Sequence, residues 1–319
     1  MNCAVHIDSS LRDEERRARL YAGDIFIFSA NRHSQRLVEL ARGMIEEAFG
    51  GLDPRKVHET MAVESVVEVL KDLKPRFIHH PLCKEIIPAM LAHWGIDLEK
   101  LYFDVPRLRT AYPSDFLSSG IAYAFHPHRD TWYSAPSMQL NWWLPIYTLD
   151  RENCMGFYPH HFSAPVKNNS EIYNYYRWNE QGRATAAQHV KVDTREQPKP
   201  QEEVKGPSVR YLPPPGGCIL FSGAQLHETI ANTSGVARYS VDFRTVHLDD
   251  VRAHRGTPNI DSRSTGSTLR DYLKASSPGE HLPDELVAEY DDGTELQASI
   301  LYFGDALARG TGAQAKPQY

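Results

Sequence analysis

The sequence predicts a mainly β fold, in which a β-rich core packs on a helical N-terminal layer. From about Leu101, short segments rich in Tyr, Phe, Trp, Val and Ile alternate with Pro, Gly, Asn and Asp, as in β-sandwiches and barrels. Before that point, apolar residues recur at helical spacing. The chain has 319 residues, of which 41% are apolar, so it can bury the core of one large domain or of two small ones.

Residues 1–100 form the predicted helical layer. One apolar stripe runs from Leu37 to Ala48 and a second from Val63 to Leu73, each with the spacing of a helix face. The pair Asp53-Pro54 is typical of an N-cap followed by proline at the first helical position, so we expect the second helix to begin there. The apolar run Gly23–Phe28 predicts a buried strand.

Residues 101–250 form the predicted β core. Within it, the segment 194–208 contains three prolines and many charged residues, which predicts a solvated loop. A lid over a site and an inert surface excursion are both compatible with that composition. We expect residues 251–319 to form a C-terminal extension with a disordered end.

Composition excludes several classes of protein. The chain has 35 Lys and Arg against 41 Asp and Glu, a net charge of −6 without a basic run, which argues against a nucleic-acid partner. The longest apolar stretch, Leu140–Tyr147, is far short of the roughly 20 residues of a membrane span. Acidic residues precede the first apolar segment, the wrong order for a secretory signal, so we expect a cytoplasmic protein. Four scattered cysteines without a CxxC pair predict reduced thiols.

Candidate metal ligands occur in the stretch Phe125–Asp130. In an extended chain, residues two apart project from the same face, so His128 and Asp130 can point an imidazole and a carboxylate at one ion. His227 follows a Gly-Gly turn and an apolar strand, and folding could bring it to the same place. Two imidazoles and one carboxylate leave about three coordination positions open, as in non-haem Fe(II) oxygenases.

The strand after His227 has a polar face. In Arg238–Arg244, the residues Arg238, Ser240, Asp242 and Arg244 alternate with Tyr239, Val241 and Phe243. A guanidinium and a hydroxyl two residues apart suit a carboxylate ligand. A solvent-facing edge strand with a ladder of charges is an equally good interpretation of this strand alone.

Together, His128-Arg129-Asp130, His227, Asn232 and Arg238-Tyr239-Ser240 resemble the Fe(II)/2-oxoglutarate-dependent dioxygenases, and most of all their phytanoyl-CoA dioxygenase-like branch. The resemblance covers roughly residues 120–250. It implies a double-stranded β-helix (jelly-roll or cupin-like) core and an iron held by His128, Asp130 and His227. It also implies 2-oxoglutarate with its far carboxylate on Arg238 and Ser240, and Arg244 is the alternative residue for that role.

The implied enzyme is a non-haem iron 2-oxoglutarate-dependent dioxygenase. It uses O2 to oxidise a C–H bond of a small-molecule substrate and releases succinate and CO2. Because Asp130 is a carboxylate, the resemblance favours hydroxylation, desaturation or ring formation over halogenation. Two alternatives stay open: a cupin-like metalloenzyme that uses His126, His128 and His227 without a keto acid, and a non-enzymatic ligand-binding β-sandwich.

Further polar and aromatic residues are candidates for the cavity. On strand alternation, Gln139 and Asn141 are assigned to the cofactor side. Arg107, Arg109, Trp132 and Trp143 are the candidate substrate contacts, although surface charge and core packing explain such residues equally well. The sequence carries no sustained heptad repeat, and it leaves the oligomeric state and the substrate open.

Overall fold

The computed structural model describes residues 3–182, 185–190, 192 and 194–291. The N-terminal part is helical, with two strands between its helices. Its elements are β1 (Val5–Ile7), α1 (Asp13–Tyr21), β2 (Ile25–Phe28), α2 (Arg32–Ala48), α3 (Val63–Ile78) and α4 (Pro81–His93). The two apolar stripes lie in α2 and α3, and β2 lies within the predicted strand Gly23–Phe28.

Strands dominate after residue 100. The elements are β3 (Leu101–Phe103), β4 (Arg107–Ala111), β5 (Leu140–Pro145), β6 (Met155–Phe157), α5 (Tyr175–Arg177), β7 (Val209–Arg210), β8 (Cys218–Ser222), β9 (His227–Thr229), β10 (Arg238–His247), α6 (Leu248–Arg252), β11 (Leu273–Lys274), β12 (Ser277–His281) and α7 (Asp284–Ala288). Residues 194–208, all described, contain no helix or strand. The predicted disordered end falls mostly outside the described residues, which stop at residue 291.

Two sheets lie at the centre of the fold. Over the described residues, nine strands form a mixed sheet in the order β1-β2-β8-β5-β10-β3-β11-β12, with β4 also paired to β10. A second sheet has the order β7-β6-β9. The large sheet therefore takes strands from both sides of the predicted core 101–250, because β1 and β2 precede it and β11 and β12 follow it.

Local chemistry explains where the helices begin. The Asn31 side chain accepts hydrogen bonds from the backbone of His33 and Ser34, and the Ser34 hydroxyl accepts one from the backbone of Asn31, which closes a capping box at the start of α2. The predicted helix start at Asp53-Pro54 is wrong. The Asp53 carboxylate instead holds the backbone N–H of Arg55 in a turn, and α3 begins only at Val63.

The large sheet separates two apolar layers. One face packs against the helices. Residues that pair across two strands lie on the same face of a sheet. Phe221 on β8 pairs with Asn141 on β5, and Asn141 pairs with Arg244 on β10, so all three side chains lie on the face away from the helices. That face meets the small sheet through an apolar cluster that includes Ile219, Phe221, Trp143, Met155 and Phe157. Within the described ranges, no helix combines the length and the apolar character needed to cross a membrane.

Candidate active site

Three buried side chains meet between the two sheets. His227 begins β9, and His128 faces it across an antiparallel bridge in which each backbone N–H donates to the other residue's carbonyl at 2.9 Å. Asp130 follows at the start of a 3-10 turn, where its N–H donates to the Gly223 carbonyl at 2.8 Å. Asp130 Oδ1 lies 3.5 Å from His128 Nε2 and 3.9 Å from His227 Nε2. The three ligand atoms lie within 4.8 Å of one another, so this group could hold a metal ion.

Both imidazoles are oriented by backbone carbonyls. Nδ1 of His128 lies 2.8 Å from the His126 carbonyl oxygen, and Nδ1 of His227 lies 2.9 Å from that of Gln225. A carbonyl only accepts, so Nδ1 of each ring carries the proton and the lone pair of Nε2 faces the other two ligands. Burial, with a smaller contribution from His128, lowers the pKa of His227 to about 4. His227 is therefore a neutral ligand at neutral pH.

The second oxygen of Asp130 is held by amides. Oδ2 accepts hydrogen bonds from Gln139 Nε2 at 3.0 Å and from Asn141 Nδ2 at 2.8 Å, and the Tyr272 hydroxyl donates to Gln139 Oε1 at 2.9 Å. Burial alone would raise the pKa of Asp130, but the neighbouring His128 and the charge of Arg244 outweigh it and hold that pKa well below the usual range. Asp130 is therefore ionised, with Oδ1 left to face the imidazoles.

A cavity of about 320 Å³ opens beside the three ligands and is lined by all of them. Its floor is the inner face of the large sheet, including Trp143 and Phe221. Gln139 and Asn141, predicted on the cofactor side, also line this cavity, and the structure places their amides against Asp130. Because the three candidate ligands lie in the cavity wall, a metal ion held by them would be accessible to small molecules.

Arg238 and Ser240 lie on the same inner face, on β10. Arg238 lines the cavity and is only 5% exposed, and its guanidinium lies 5.6 Å from the centre of the Trp143 ring. Its Nη1 donates to the Cys154 carbonyl at 3.2 Å, whereas its buried Nε has no hydrogen-bond partner. The Ser240 hydroxyl is also fully buried without a partner, but Ser240 is not among the residues that line the cavity. Burial lowers the pKa of Arg238 to about 10, so it stays charged at neutral pH.

The other predicted arginines already have carboxylate partners. Arg244 Nη1 lies 3.3 Å from Asp104 Oδ2, and Arg107 Nη1 donates to the same oxygen at 2.5 Å. Arg109 makes a two-pronged contact with Asp242, with N···O distances of 2.6 and 3.3 Å. Arg244 Nε also lies 3.6 Å from Asp130 Oδ2. Arg244 therefore neutralises two carboxylates, and of the four predicted arginines Arg238 is the one with a buried N–H that has no partner.

The two predicted tryptophans have different surroundings. Trp143 lines the cavity, whereas Trp132 does not, so its prediction as a substrate contact is wrong. The Trp132 indole is fully buried, and its N–H donates to Asp261 at 2.7 Å. The strand alternation stops at Asp130, where the 3-10 turn points Trp132 away and turns Tyr133 towards the cavity.

Several site residues have only weak signals in the sequence. Lys74 lines the cavity and lies on the buried face of α3. The sequence indicates it only as a lysine within an apolar helix stripe. Asp104 and Tyr272 reach the site through tertiary contacts that no local pattern indicates. His126 is exposed and is not part of the ligand group, which argues against the three-histidine alternative.

No protein-family model and no curated protein matches the sequence. Solved structures similar to the chain include the epimerase SnoN in complex with Fe3+, alpha ketoglutarate and nogalamycin RO, at 15% identity over 74% of this chain and 85% of that one, TM-score 0.39. EvdO2 from Micromonospora carbonacea var. aurantiaca is 14% identical over 75% and 92%, TM-score 0.39. The alpha ketoglutarate dependent carbocyclase SnoK from nogalamycin biosynthesis is 14% identical over 80% and 94%, TM-score 0.38. Likenesses at this level establish neither the family nor the reaction of this chain.

Proposed function

We propose that this protein is an Fe(II)- and 2-oxoglutarate-dependent oxygenase of a small-molecule substrate, with its two sheets forming a double-stranded β-helix. The observation that carries the proposal is the combination of two imidazoles and one carboxylate within 4.8 Å with a buried, unsatisfied guanidinium N–H in the same cavity. The first set suits a metal, and the second suits the acid group of a cosubstrate.

The donor set fits ferrous iron with open positions. His128 Nε2, His227 Nε2 and Asp130 Oδ1 would hold the ion, and Gln139 and Asn141 keep the second carboxylate oxygen turned away from it. Such amide contacts on a ligating carboxylate fix its geometry. When bound, Fe(II) supplies the redox chemistry that activates O2 and the keto acid.

Arg238 and Ser240 fit the far carboxylate of 2-oxoglutarate. Arg238 Nε and Ser240 Oγ are buried polar atoms without partners, and each such atom is costly unless a ligand satisfies it. A carboxylate offers two oxygens and a charge opposite to that of Arg238, and Ser240, which does not itself line the cavity, would be its second donor. The neighbouring Trp143 and Met155 line the cavity and exclude water from this contact.

The overall reaction converts 2-oxoglutarate, O2 and a substrate C–H bond to succinate, CO2 and an oxidised product. In hydroxylation, one oxygen atom enters succinate and the other enters the product. Desaturation or ring formation would instead remove two hydrogen atoms from the substrate and release water. The aromatic residues Phe125 and Tyr133 line the cavity beside His128 and are the proposed apolar contacts of the substrate.

Keto-acid turnover tests the proposed function without knowledge of the substrate. Purified protein with Fe(II), ascorbate and 2-oxoglutarate in air should form succinate by slow uncoupled turnover. Asp130→Ala should abolish succinate formation, and the exposed Asp72→Ala is the matched control that should retain it. Iron binding without succinate formation would favour the cupin-like alternative. Absence of stoichiometric metal binding would favour a ligand-binding β-sandwich.

A further inference from the structure

Lys74 is a buried cation on the wall of the cavity. It lies on the core-facing side of α3, is only 8% exposed, and its Nζ donates to the Ile121 carbonyl. Among the described residues, no carboxylate forms an ion pair with it. A buried ammonium without a counter-charge is costly, and the cost is avoided either by loss of its proton or by binding of an anion.

The charges around Lys74 do not provide that compensation. Arg107 and Arg244 on the cavity wall already contact Asp104, and the nearest carboxylate on the wall beside Arg109 is Asp242. The Asp242 carboxylate already accepts hydrogen bonds from Nε and Nη2 of Arg109. Burial, followed by the charge of Arg109, outweighs the charge of Asp242 and lowers the pKa of Lys74 to about 7, whereas a bound anion would stabilise the charged amine. The cavity therefore favours an anionic occupant beyond the keto acid.

A neutral donor faces the same side as Lys74. Thr110 on β4 pairs with Tyr239 on β10, and the Tyr239 side chain belongs to the core on the helix side of the sheet. Thr110 therefore also points towards the helices, at the place where α3 packs on β4. Thr110 is buried and lines the cavity, and its hydroxyl has no hydrogen-bond partner. An ammonium and a free hydroxyl are two donors for one acid group.

An aromatic ring connects the metal ligands with the cationic side. Phe125 stacks on His128 with ring centroids 4.9 Å apart, and the Arg109 guanidinium lies 5.8 Å from the centre of the Phe125 ring. Phe125 therefore contacts both the candidate metal site and the cationic side of the cavity.

We propose that Lys74 and Thr110 form a subsite for the acid group of the substrate, which is a carboxylic acid. That the bound acid is the substrate rests on the proposed function. The subsite itself is a claim about binding and can be tested separately from turnover.

The test is isothermal titration calorimetry of the Fe(II)-loaded protein under nitrogen, with benzoate and with benzamide as probes. The two probes have nearly the same shape, so the difference between their dissociation constants measures the effect of the negative charge. We expect benzoate to bind at least about tenfold more tightly, the value of one charge-assisted hydrogen bond. Lys74→Met should reduce this preference to within about twofold. Lys71→Met, an exposed lysine one turn away, should retain it.

Two further variants make the test decisive. Thr110→Val keeps the shape of the side chain and should reduce the preference about fivefold, even if Lys74→Met does not fold. Arg238→Met should retain the preference while losing keto-acid turnover, so the two proposals can fail separately. No preference in the native protein, an unchanged preference in Lys74→Met or in Thr110→Val, or its loss in Arg238→Met would overturn the subsite.

Discussion

Replacement of Arg238 by methionine tests the keto-acid site. Methionine has a similar length but no charge and no donor, so the variant loses the Nε–H that is buried without a partner. Charge-assisted hydrogen bonds contribute about 1.5–3 kcal/mol each, so loss of the guanidinium should cost 2-oxoglutarate about 3 kcal/mol of binding free energy. That energy corresponds to a roughly 100-fold increase in the KM for 2-oxoglutarate.

The assay is succinate formation at increasing 2-oxoglutarate, with thermal denaturation of each variant as a companion measurement. Without the keto acid, Arg238→Met should be as stable as the native protein or more so, because it removes a buried charge with few partners. Arg210→Met, on exposed β7, is the matched control and should leave KM unchanged. A KM within twofold of the native value in Arg238→Met would refute the assignment of the keto-acid site.

Three further predictions concern the surroundings of the site and the stability of the fold. Gln139→Leu removes a hydrogen bond to the ligating carboxylate and should weaken metal binding roughly 10- to 100-fold in a chelator competition. In Gly120→Ala, at φ +58°, the new Cβ would clash with backbone carbonyls of residues 185–190, so the free energy of unfolding should fall by about 2 kcal/mol or more. Gly235 also has a positive φ but faces open space, so Gly235→Ala should lower the free energy of unfolding by only about 1 kcal/mol. Burial lowers the pKa of His247 to about 4, below the unfolded value of 6.5, so the unfolded chain binds more protons between these values and stability falls as the pH falls. Thermal denaturation between pH 6.5 and 4 should show that His247→Asn removes this component, at most about 3 kcal/mol. An equal acid sensitivity in both proteins would contradict the role of His247.

Residue spacing was sufficient to predict the parts of the site that lie on regular strands. The period of two on β10 put Arg238 and Ser240 on one face, and the pairing of β10 with β5 and β4 makes that face the inner one. The prediction that His128, Asp130 and His227 could meet required only that folding bring two segments together, and the antiparallel bridge between the two histidines does so.

Sequence patterns could not predict the features that depend on turns and tertiary contacts. Trp132 is a candidate substrate contact because it is one of several aromatic residues near the candidate ligands, but the 3-10 turn after Asp130 places it outside the cavity. The counter-charge of Arg244 comes from Asp104, for which the sequence offers no signal. Lys74 was recognisable only as a lysine within an apolar helix stripe, and the reason for its burial depends on what occupies the cavity.

The most direct test of the central claim is an anaerobic absorption spectrum. On addition of Fe(II) and then 2-oxoglutarate, the native protein should develop a weak visible charge-transfer band, because the proposal has the keto acid bound to an iron held by His128, Asp130 and His227. The band should be absent in Asp130→Ala and should require more 2-oxoglutarate in Arg238→Met. A native protein that binds Fe(II) but shows no band with 2-oxoglutarate would contradict the claim.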